Sequence, residues 1–333
     1  ADEHEVEYMF EGDVQPFLLE AHKEVQSISR SIAYAKELLN WQICFFHVHF
    51  LDSVNHKLLA DLYKGFPLFD ETKYAQSLEH IRQAYKSVDD LVGKLQSTCI
   101  DEETVVVFVA DHGAIPSWKV VDIPGVLMSQ GLLSYKFKKR KFIVNWKKSR
   151  VFPYQEPPFI WVNLKGRDPN GIVEKSEYES VCNDIIEVLE GIKDPDTGKR
   201  VVKAAFTREE AGFMGLDGSR VGDVVYFLNP PYQVFDGRLE QLDPSVRPAD
   251  LHAMPIVSDA KVCFGAHAYY LPTTKVGEFS VSSPLVLSGP GIKQGERLKN
   301  PVHLTDIAPT ISEILGIRRP NGATGRVLSE IFD

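Results

Sequence analysis

The sequence predicts an α/β protein with a central, mostly parallel sheet and helices on both faces. Three consecutive segments support this fold class: a largely apolar run at 41–50, a helical pattern of apolar residues over 72–97, and a second apolar run at 104–110. Apolar runs are typical of strands buried in parallel sheets, and a spacing of about 3.6 residues is typical of amphipathic helices. A strand, a helix and a strand in this order form a right-handed parallel unit by default.

The rest of the chain continues this alternation. Apolar periodicity and capping residues predict helices at 14–40 (interrupted near Pro16), 123–130, 175–190 and 304–315, and an N-capped helix that starts at Thr207. Short β-favouring runs predict strands at 158–164, 201–206, 224–228 and 283–288, and 229–262 is rich in Pro and irregular. We therefore expect core segments at 1–133 and 263–333, with 134–262 as an inserted or peripheral segment.

Composition and charge exclude several classes of protein. The 333 residues are enough for one large domain or two smaller ones, and 44% hydrophobic with 25% charged residues is typical of globular proteins. A net charge of −9 argues against binding to nucleic acid or to a membrane surface. No apolar run approaches the roughly 18 residues that span a bilayer.

The four cysteines predict free thiols. They lie far apart without a CxxC pair, and Cys44, Cys99 and Cys263 lie in or beside apolar stretches. Buried free thiols are therefore expected rather than a disulfide framework. This use of cysteine favours a cytoplasmic location.

Asp111 and His112 are the first candidate metal ligands, because they follow the predicted strand 104–110 directly. Ligands bind at the carboxyl ends of strands in open α/β sheets. A carboxylate beside an imidazole suits a divalent metal there. The alternative is an Asp that caps a turn next to a solvated His.

Three further candidates are Asp52, His56 and His267. Asp52 and His56 have i, i+4 spacing and would lie on the same side of a helix, where both can bind one ion. His267 follows Gly265 and Ala266, whose small size allows close approach of the backbone. The alternatives are a helix cap at Asp52 with a surface His56, and an ordinary loop histidine at 267.

Together these residues supply two carboxylates and three imidazoles. This mixture suits zinc or manganese better than magnesium or calcium. Five ligands are too many for one catalytic zinc, which keeps an open position, but they suit a pair of metals. Paired metals recur in the chemistry of phosphoryl transfer.

The order of these segments resembles the alkaline phosphatase superfamily. Within it, the chain is most similar to the predicted phosphohydrolases and phosphomutases related to type I phosphodiesterases/nucleotide pyrophosphatases. In that family a D-x-x-x-H segment follows a strand, a long helix intervenes, and the next strand ends in D-H-G, as at 52–56, 72–97 and 111–113. Further segments that look like this branch are 162–167, 194–199, 288–293, 305–310 and 325–328.

The resemblance implies an alkaline-phosphatase-like fold with two divalent metals, zinc or alternatively manganese. Asp111 and His112 would bind one metal, and Asp52, His56 and His267 the other. It implies hydrolysis or transfer of a small phosphate ester, such as a nucleotide, through a phospho-enzyme; a phosphomutase is an alternative. It implies neither a specific nucleic-acid partner nor a membrane segment.

The chain departs from the family pattern before Asp52. Family members begin with a strand that bears a metal-binding Asp, followed by a Ser or Thr nucleophile, and nothing before Asp52 fits either role. Ser27, Ser29 and Ser31 lie in a helical pattern. We therefore expect the N-terminal part of the fold, with the nucleophile, to lie upstream, and residues 1–333 to be inactive alone. The alternative is an inactive remnant that binds a metal or a partner.

A basic and aromatic stretch at 134–165 is a candidate cap over the site. Lys138, Lys139 and Arg140 would attract an anionic substrate, while neighbouring aromatic residues would stack on a base or a sugar. The alternative is a solvated hairpin whose aromatic side chains face the core. His47, His49 or the polar groups of Ser53 and Asn55 could hold the ligand imidazoles in one orientation. The alternative for His47 and His49 is packing within the predicted strand 41–50.

Overall fold

The computed structural model describes residues 14–39, 41–139, 141–154, 158–234 and 254–333. These residues contain both helices and strands, which confirms the mixed helix and strand content of the predicted fold class. The α-helices in chain order are α1 Val14–Leu39, α2 Phe50–Leu58, α3 Glu71–Thr98, α4 Ile123–Ser129, α5 Tyr178–Glu190, α6 Arg208–Ala211 and α7 Ile307–Ile314.

The strands form several small sheets. In chain order they are β1 Val106–Val109, β2 Ile115–Pro116, β3 Lys119–Val121, β4 Tyr135–Lys138, β5 Lys141–Val144, β6 Val151–Tyr154, β7 Phe159–Val162, β8 Val202–Thr207, β9 Val224–Leu228, β10 Tyr232–Gln233, β11 Val257–Asp259, β12 Gly265–Ala266, β13 Lys275–Val276, β14 Phe279–Ser280 and β15 Leu285–Ser288.

The chain divides into two compact units, each made of three separate stretches. The large unit comprises residues 1–19, 48–85 and 114–282, and the small unit comprises 20–47, 86–113 and 283–333. Helices α1 and α3 contribute residues to both units. The expected division at 1–133, 134–262 and 263–333 used continuous segments and stays a prediction.

The core of the large unit is built on the antiparallel sheet β6-β7-β9-β8. Helix α5 packs on this sheet through Val181, Ile185 and Leu189, which are spaced for one helix face and fully buried. Alternate residues of β9, including Tyr226, are buried in the same core. The large unit therefore buries a hydrophobic core of its own.

In the large unit, helix α2 carries Asp52 and His56, and strand β12 directly precedes His267. The apolar face of α2 buries Phe50, Val54 and Leu58 at i, i+4 and i+8. Strand β12 pairs with β2 and packs against α2. A Cβ at Gly265 would lie 2.4 Å from the backbone oxygen of Asn55, so only glycine allows this approach.

Within the described part of the small unit, strands β1 and β15 form an antiparallel pair, with Phe108 opposite Val286. Ile292, Leu328 and Ile331 form a buried cluster in this unit, and Leu285 and Leu287 pack against it. Phe108 is 37% exposed and Val286 57% exposed on the other face of this sheet. One face of the pair is therefore covered and one is open.

The predicted strand at 41–50 is wrong. Residues 41–49 contain no strand, and α2 begins at Phe50. Phe45 is 87% exposed, because a β-favouring run becomes a strand only where a neighbouring strand hydrogen-bonds to it, and the described chain supplies none here. The predicted parallel unit with 104–110 is therefore absent from the described residues, where β1 pairs antiparallel with β15. A mostly parallel central sheet is not confirmed.

Most other predicted elements are confirmed within a few residues. Helix α1 runs through Pro16 without interruption, because Pro in the first turn removes an N–H that has no helical partner. Thr207 caps α6 in a reciprocal arrangement with Glu210. All four cysteines are free thiols, but Cys44 is exposed, since it lies in 41–49. No helix of the described chain is long and apolar enough to cross a membrane.

Candidate metal centre

Asp52, His56 and His267 come together in the large unit. One potential ligand atom from each lies within 4.8 Å of the other two. Nε2 of His56 is 3.2 Å from Oδ2 of Asp52, and Nε2 of His267 is 3.5 Å from Oδ1. Both imidazoles therefore direct Nε2 at the same carboxylate, one at each oxygen.

Helix α2 and strand β12 explain this arrangement. The i, i+4 spacing on α2 brings His56 beside Asp52, as the sequence predicts. His267 directly follows β12. The Phe264 N–H, just before β12, donates a 2.6 Å hydrogen bond to the His56 carbonyl and so holds the strand against α2. The three side chains are largely buried, with exposed fractions of 19%, 8% and 12% for Asp52, His56 and His267.

The His56 ring is oriented from its buried side. Nδ1 lies 2.6 Å from the Gly265 carbonyl oxygen, which can only accept, so the N–H is at Nδ1. The buried Cys263 thiol lies 3.3 Å from Nδ1 and 3.1 Å from the same carbonyl. Nε2 therefore faces Asp52. A proton on Nδ1 is the tautomer in which Nε2 of His56 can bind a metal ion.

The electrostatics of the cluster favour a charged carboxylate. Burial opposes ionisation of Asp52, but hydrogen bonds from His49 and His56 and the charges of His56 and His267 outweigh it, and its pKa lies well below the usual range. Burial likewise opposes a charged His56, yet hydrogen bonds with Asp52 and Cys263 raise its pKa. The proton between Nε2 of His56 and the Asp52 carboxylate thus lies where a metal ion would bind.

The donor set fits a zinc-type ion. Two imidazoles and one carboxylate are ligands that zinc prefers, and three protein ligands leave a coordination position open, as in catalytic zinc sites. Magnesium and calcium prefer all-oxygen sets. The chemistry of these three side chains therefore suits zinc or manganese.

Asp111 and His112 belong to the small unit, where they follow β1 as expected. The His112 N–H donates to Oδ1 of Asp111 over 3.1 Å, and Nδ1 of His112 lies 3.1 Å from the Gly113 carbonyl. The Asp111 side chain is 71% exposed. Among the described residues, neither belongs to a group of three potential ligands.

The basic hairpin exists as β4 and β5. Lys138 and Lys139 are exposed at its turn, and Arg140 lies outside the described residues. Phe142 is buried and packs on Phe137 with 5.0 Å between ring centroids, while Phe137 is 40% exposed. The aromatic side chains of the hairpin therefore face the core only in part.

Sequence reasoning missed Cys263, and it named His49 as a possible partner of the ligand imidazoles rather than of the Asp52 carboxylate. Nε2 of His49 lies 3.4 Å from Oδ2 of Asp52, whereas packing within a strand is excluded because 41–49 contain none. The available signal for Cys263 was its spacing: Cys263, Gly265 and His267 occupy alternate positions, which share one face of a strand.

The comparison with protein families decides the family. The model of type I phosphodiesterase / nucleotide pyrophosphatase matches residues 4–269. The chain belongs to this family. The resemblance to the alkaline phosphatase superfamily is thereby confirmed.

Individual relatives are similar over limited lengths. Alkaline phosphatase PafA of Elizabethkingia meningoseptica is 52% identical over 49 residues, which are 15% of this chain and 9% of that protein. The crystal structure of wild-type PafA has a TM-score of 0.45 at 16% identity, covering 86% of this chain and 47% of that one. A PafA mutant has a TM-score of 0.44 at 15% identity, covering 86% and 46%. The chain thus spans less than half the length of these relatives.

Proposed function

We propose that residues 1–333 are the metal-binding part of a phosphoric-ester hydrolase or phosphotransferase that uses two divalent metals and a phospho-enzyme. The observation that carries this proposal is the cluster of Asp52, His56 and His267. The family match supports the reaction class, and phosphate esters are the corresponding substrates. The cluster supports metal binding, and the family match supports the type of reaction.

Asp52, His56 and His267 hold one metal, zinc in preference to manganese. A divalent cation at this place supplies Lewis-acid stabilisation of charge on phosphoryl oxygens. The protein contributes an ionised Asp52 and a His56 whose ring cannot turn away, because Nδ1 is engaged by the Gly265 carbonyl. The burial of the ligands limits competition from water.

Asp111 and His112 contribute to the second metal in this proposal. Support comes from their place at the end of β1 and from the D-H-G motif. Two ligands are too few for a stable site. In this proposal the remaining ligands come from the upstream part of the fold.

The same upstream chain supplies the Ser or Thr nucleophile and completes the sheet. Ser27, Ser29 and Ser31 lie inside α1 and are no substitute, since nucleophiles of this family follow a strand. Exposed apolar side chains on β1, β15 and 41–49 support the missing strands, because such side chains are normally covered. Lys138, Lys139 and Arg140 attract the anionic substrate.

Zinc binding by the chain tests the proposal. We expect residues 1–333 to bind one zinc ion tightly in a calorimetric titration, and Asp52→Asn and His267→Ala to weaken binding at least about 100-fold, since each removes a ligand. Asp61→Asn, which alters an acidic residue outside the cluster, is the control. Equal binding by wild type and Asp52→Asn would contradict the proposal.

Activity provides the second test. Residues 1–333 are expected to turn over neither p-nitrophenyl phosphate nor bis-p-nitrophenyl phosphate, whereas the protein extended upstream is expected to hydrolyse at least one and to stop when metal is chelated. Replacing Lys138, Lys139 and Arg140 by Ala in the extended protein should raise KM. An extended protein without metal or activity would favour the inactive remnant.

A further inference from the structure

His49 contacts the carboxylate of the candidate metal centre from its exposed side. Its Nε2 lies 3.4 Å from Oδ2 of Asp52, and its side chain is 58% exposed. The backbone fixes this neighbourhood, because His49 immediately precedes α2 and its carbonyl accepts a hydrogen bond from the Asp52 N–H over 3.0 Å. The i, i+3 spacing then brings the two side chains to one side of the helix.

The contact differs from those of the three clustered residues. Oδ1 of Asp52 faces His267, and Oδ2 faces both His56 and His49. His49 lies outside the group whose ligand atoms are all within 4.8 Å of one another. It therefore touches the carboxylate without joining the ligand group.

We propose that His49 is a positioning residue that donates a hydrogen bond from Nε2–H to Oδ2 of Asp52 and holds the carboxylate in the orientation that binds metal. The proposal rests on the proposed function, since it concerns the same metal centre. Ligating carboxylates are themselves hydrogen-bonded, and loss of such a partner costs about 10- to 100-fold in metal affinity.

On the buried side of the metal centre, other groups already restrain His56 and His267. The Gly265 carbonyl and the Cys263 thiol restrain His56, and strand β12 holds His267 near its position. Asp52 lies on the first turn of α2, and its carboxylate can rotate about two side-chain bonds. His49 limits this rotation from the exposed side, through its contact with Oδ2 of Asp52.

Zinc affinity of residues 1–333 tests this role. We expect His49→Ala to weaken zinc binding about 10-fold, at the low end of the range for such partners, because the contact is long and exposed. His49→Gln keeps an N–H donor and is expected to recover most of the affinity. His22→Ala, which removes an exposed imidazole from α1, is the matched control and should bind zinc as the wild type does.

Cobalt(II) in place of zinc reports the ligands directly. A positioning role predicts that His49→Ala keeps one cobalt per chain and the visible absorption spectrum of the wild type, at weaker affinity. A changed spectrum would make His49 a ligand and overturn the proposal, as would wild-type affinity in His49→Ala. Unfolding without metal should be unchanged, because His49 is exposed; a destabilised His49→Ala that His49→Gln does not rescue would overturn it too.

Failure of the proposed function gives a different result. If the wild type and Asp52→Asn bind zinc equally, the metal centre itself is refuted and His49 has no role there. If Asp52→Asn loses zinc while His49→Ala retains full affinity, the metal centre stands and only the role of His49 is refuted.

Discussion

The two units differ in how far their large apolar side chains are buried. The large unit covers both faces of its sheet, with α5 on one side and a cluster of Phe159, Val225 and Phe227 on the other. Among the described residues, the small unit is little more than half as long as the large unit but leaves about as many large apolar side chains exposed. These are Tyr34, Leu38, Leu39, Ile43, Phe45, Phe46, Phe108, Val286, Leu304, Leu315 and Ile317.

The candidate ligands differ in the same way. In the large unit three ligands are buried and restrained, whereas Asp111 in the small unit is 71% exposed. A metal ligand is held in place by packing and hydrogen bonds of the elements around it. Ligand side chains are therefore held in place where the helices and strands that carry them are buried. In the small unit, Asp111 and His112 would need contacts from further chain to be held in the same way.

The buried charge of the large unit provides the largest expected effect. Asp223 is fully buried and accepts hydrogen bonds from Arg167, Arg208, Tyr178 and the Val162 N–H. Asp223→Ala removes the buried carboxylate that Arg167 and Arg208 share, although Arg167 keeps its ion pair with Asp168, and should lower the free energy of unfolding by about 3–5 kcal/mol. Urea unfolding followed by tryptophan fluorescence measures this.

The control for this change is Glu20→Gln, which breaks an exposed ion pair with Lys23. Such pairs contribute little, so the unfolding midpoint should not move. Unfolding of Asp223→Ala at the wild-type midpoint would show that the large unit does not depend on this network, and the contrast between the units would weaken.

Matched phenylalanines test the contrast directly. Phe159 in the large unit is 8% exposed, and Phe45 in the small unit is 87% exposed. Phe159→Ala should cost about 3–5 kcal/mol of stability, while Phe45→Ala should change it by less than about 0.5 kcal/mol. Thermal or urea unfolding of the two variants decides the point. A large loss in Phe45→Ala would mean that 41–49 is covered in solution.

Gly265→Ala should have an intermediate effect. The added Cβ would meet the Asn55 carbonyl at 2.4 Å and force β12 away from α2. We expect a loss of about 1–3 kcal/mol in stability, together with weaker zinc binding, because His267 moves with the strand. Gly322→Ala, whose Cβ would meet nothing within 4 Å, serves as the control and should bind zinc normally.

The pH dependence of the metal-free chain gives the smallest effect. The pKa of His56 is raised above its ordinary value of 6.5, so its stabilisation is full below pH 6.5 and is lost as pH rises through the folded pKa. The pKa of Asp52 is lowered below 3.8, so its contribution is present above that pH and is lost in acid. Stability measured in chelator should therefore fall above pH 6.5.

The opposite trend is expected for zinc. Binding displaces the proton from His56, so zinc affinity should rise over the same pH range in which the metal-free chain loses stability. Asp52→Asn removes the partner of His56 and should flatten both curves. Affinity that is independent of pH would argue against His56 as a ligand.

The sequence by itself determined the local features. The periodicity of α3, the run of β9 and the capping residues of α6 depend on neighbours within a few positions, so each was predictable. The pairing of Asp52 with His56 is of the same kind, since one turn of a helix brings i and i+4 together. The family motifs are local as well, and their order sufficed to predict the family.

Only the tertiary structure decided what depends on distant partners. His56 and Gly265 are 209 positions apart, and their contact exists because β12 packs on α2. The run at 41–50 favours a strand locally, but a strand forms only with a neighbour, and within the described residues it has none. Periodicity records which side chains share a face, whereas hydrogen-bonding partners and packing decide which faces meet, and therefore which ligands share a metal.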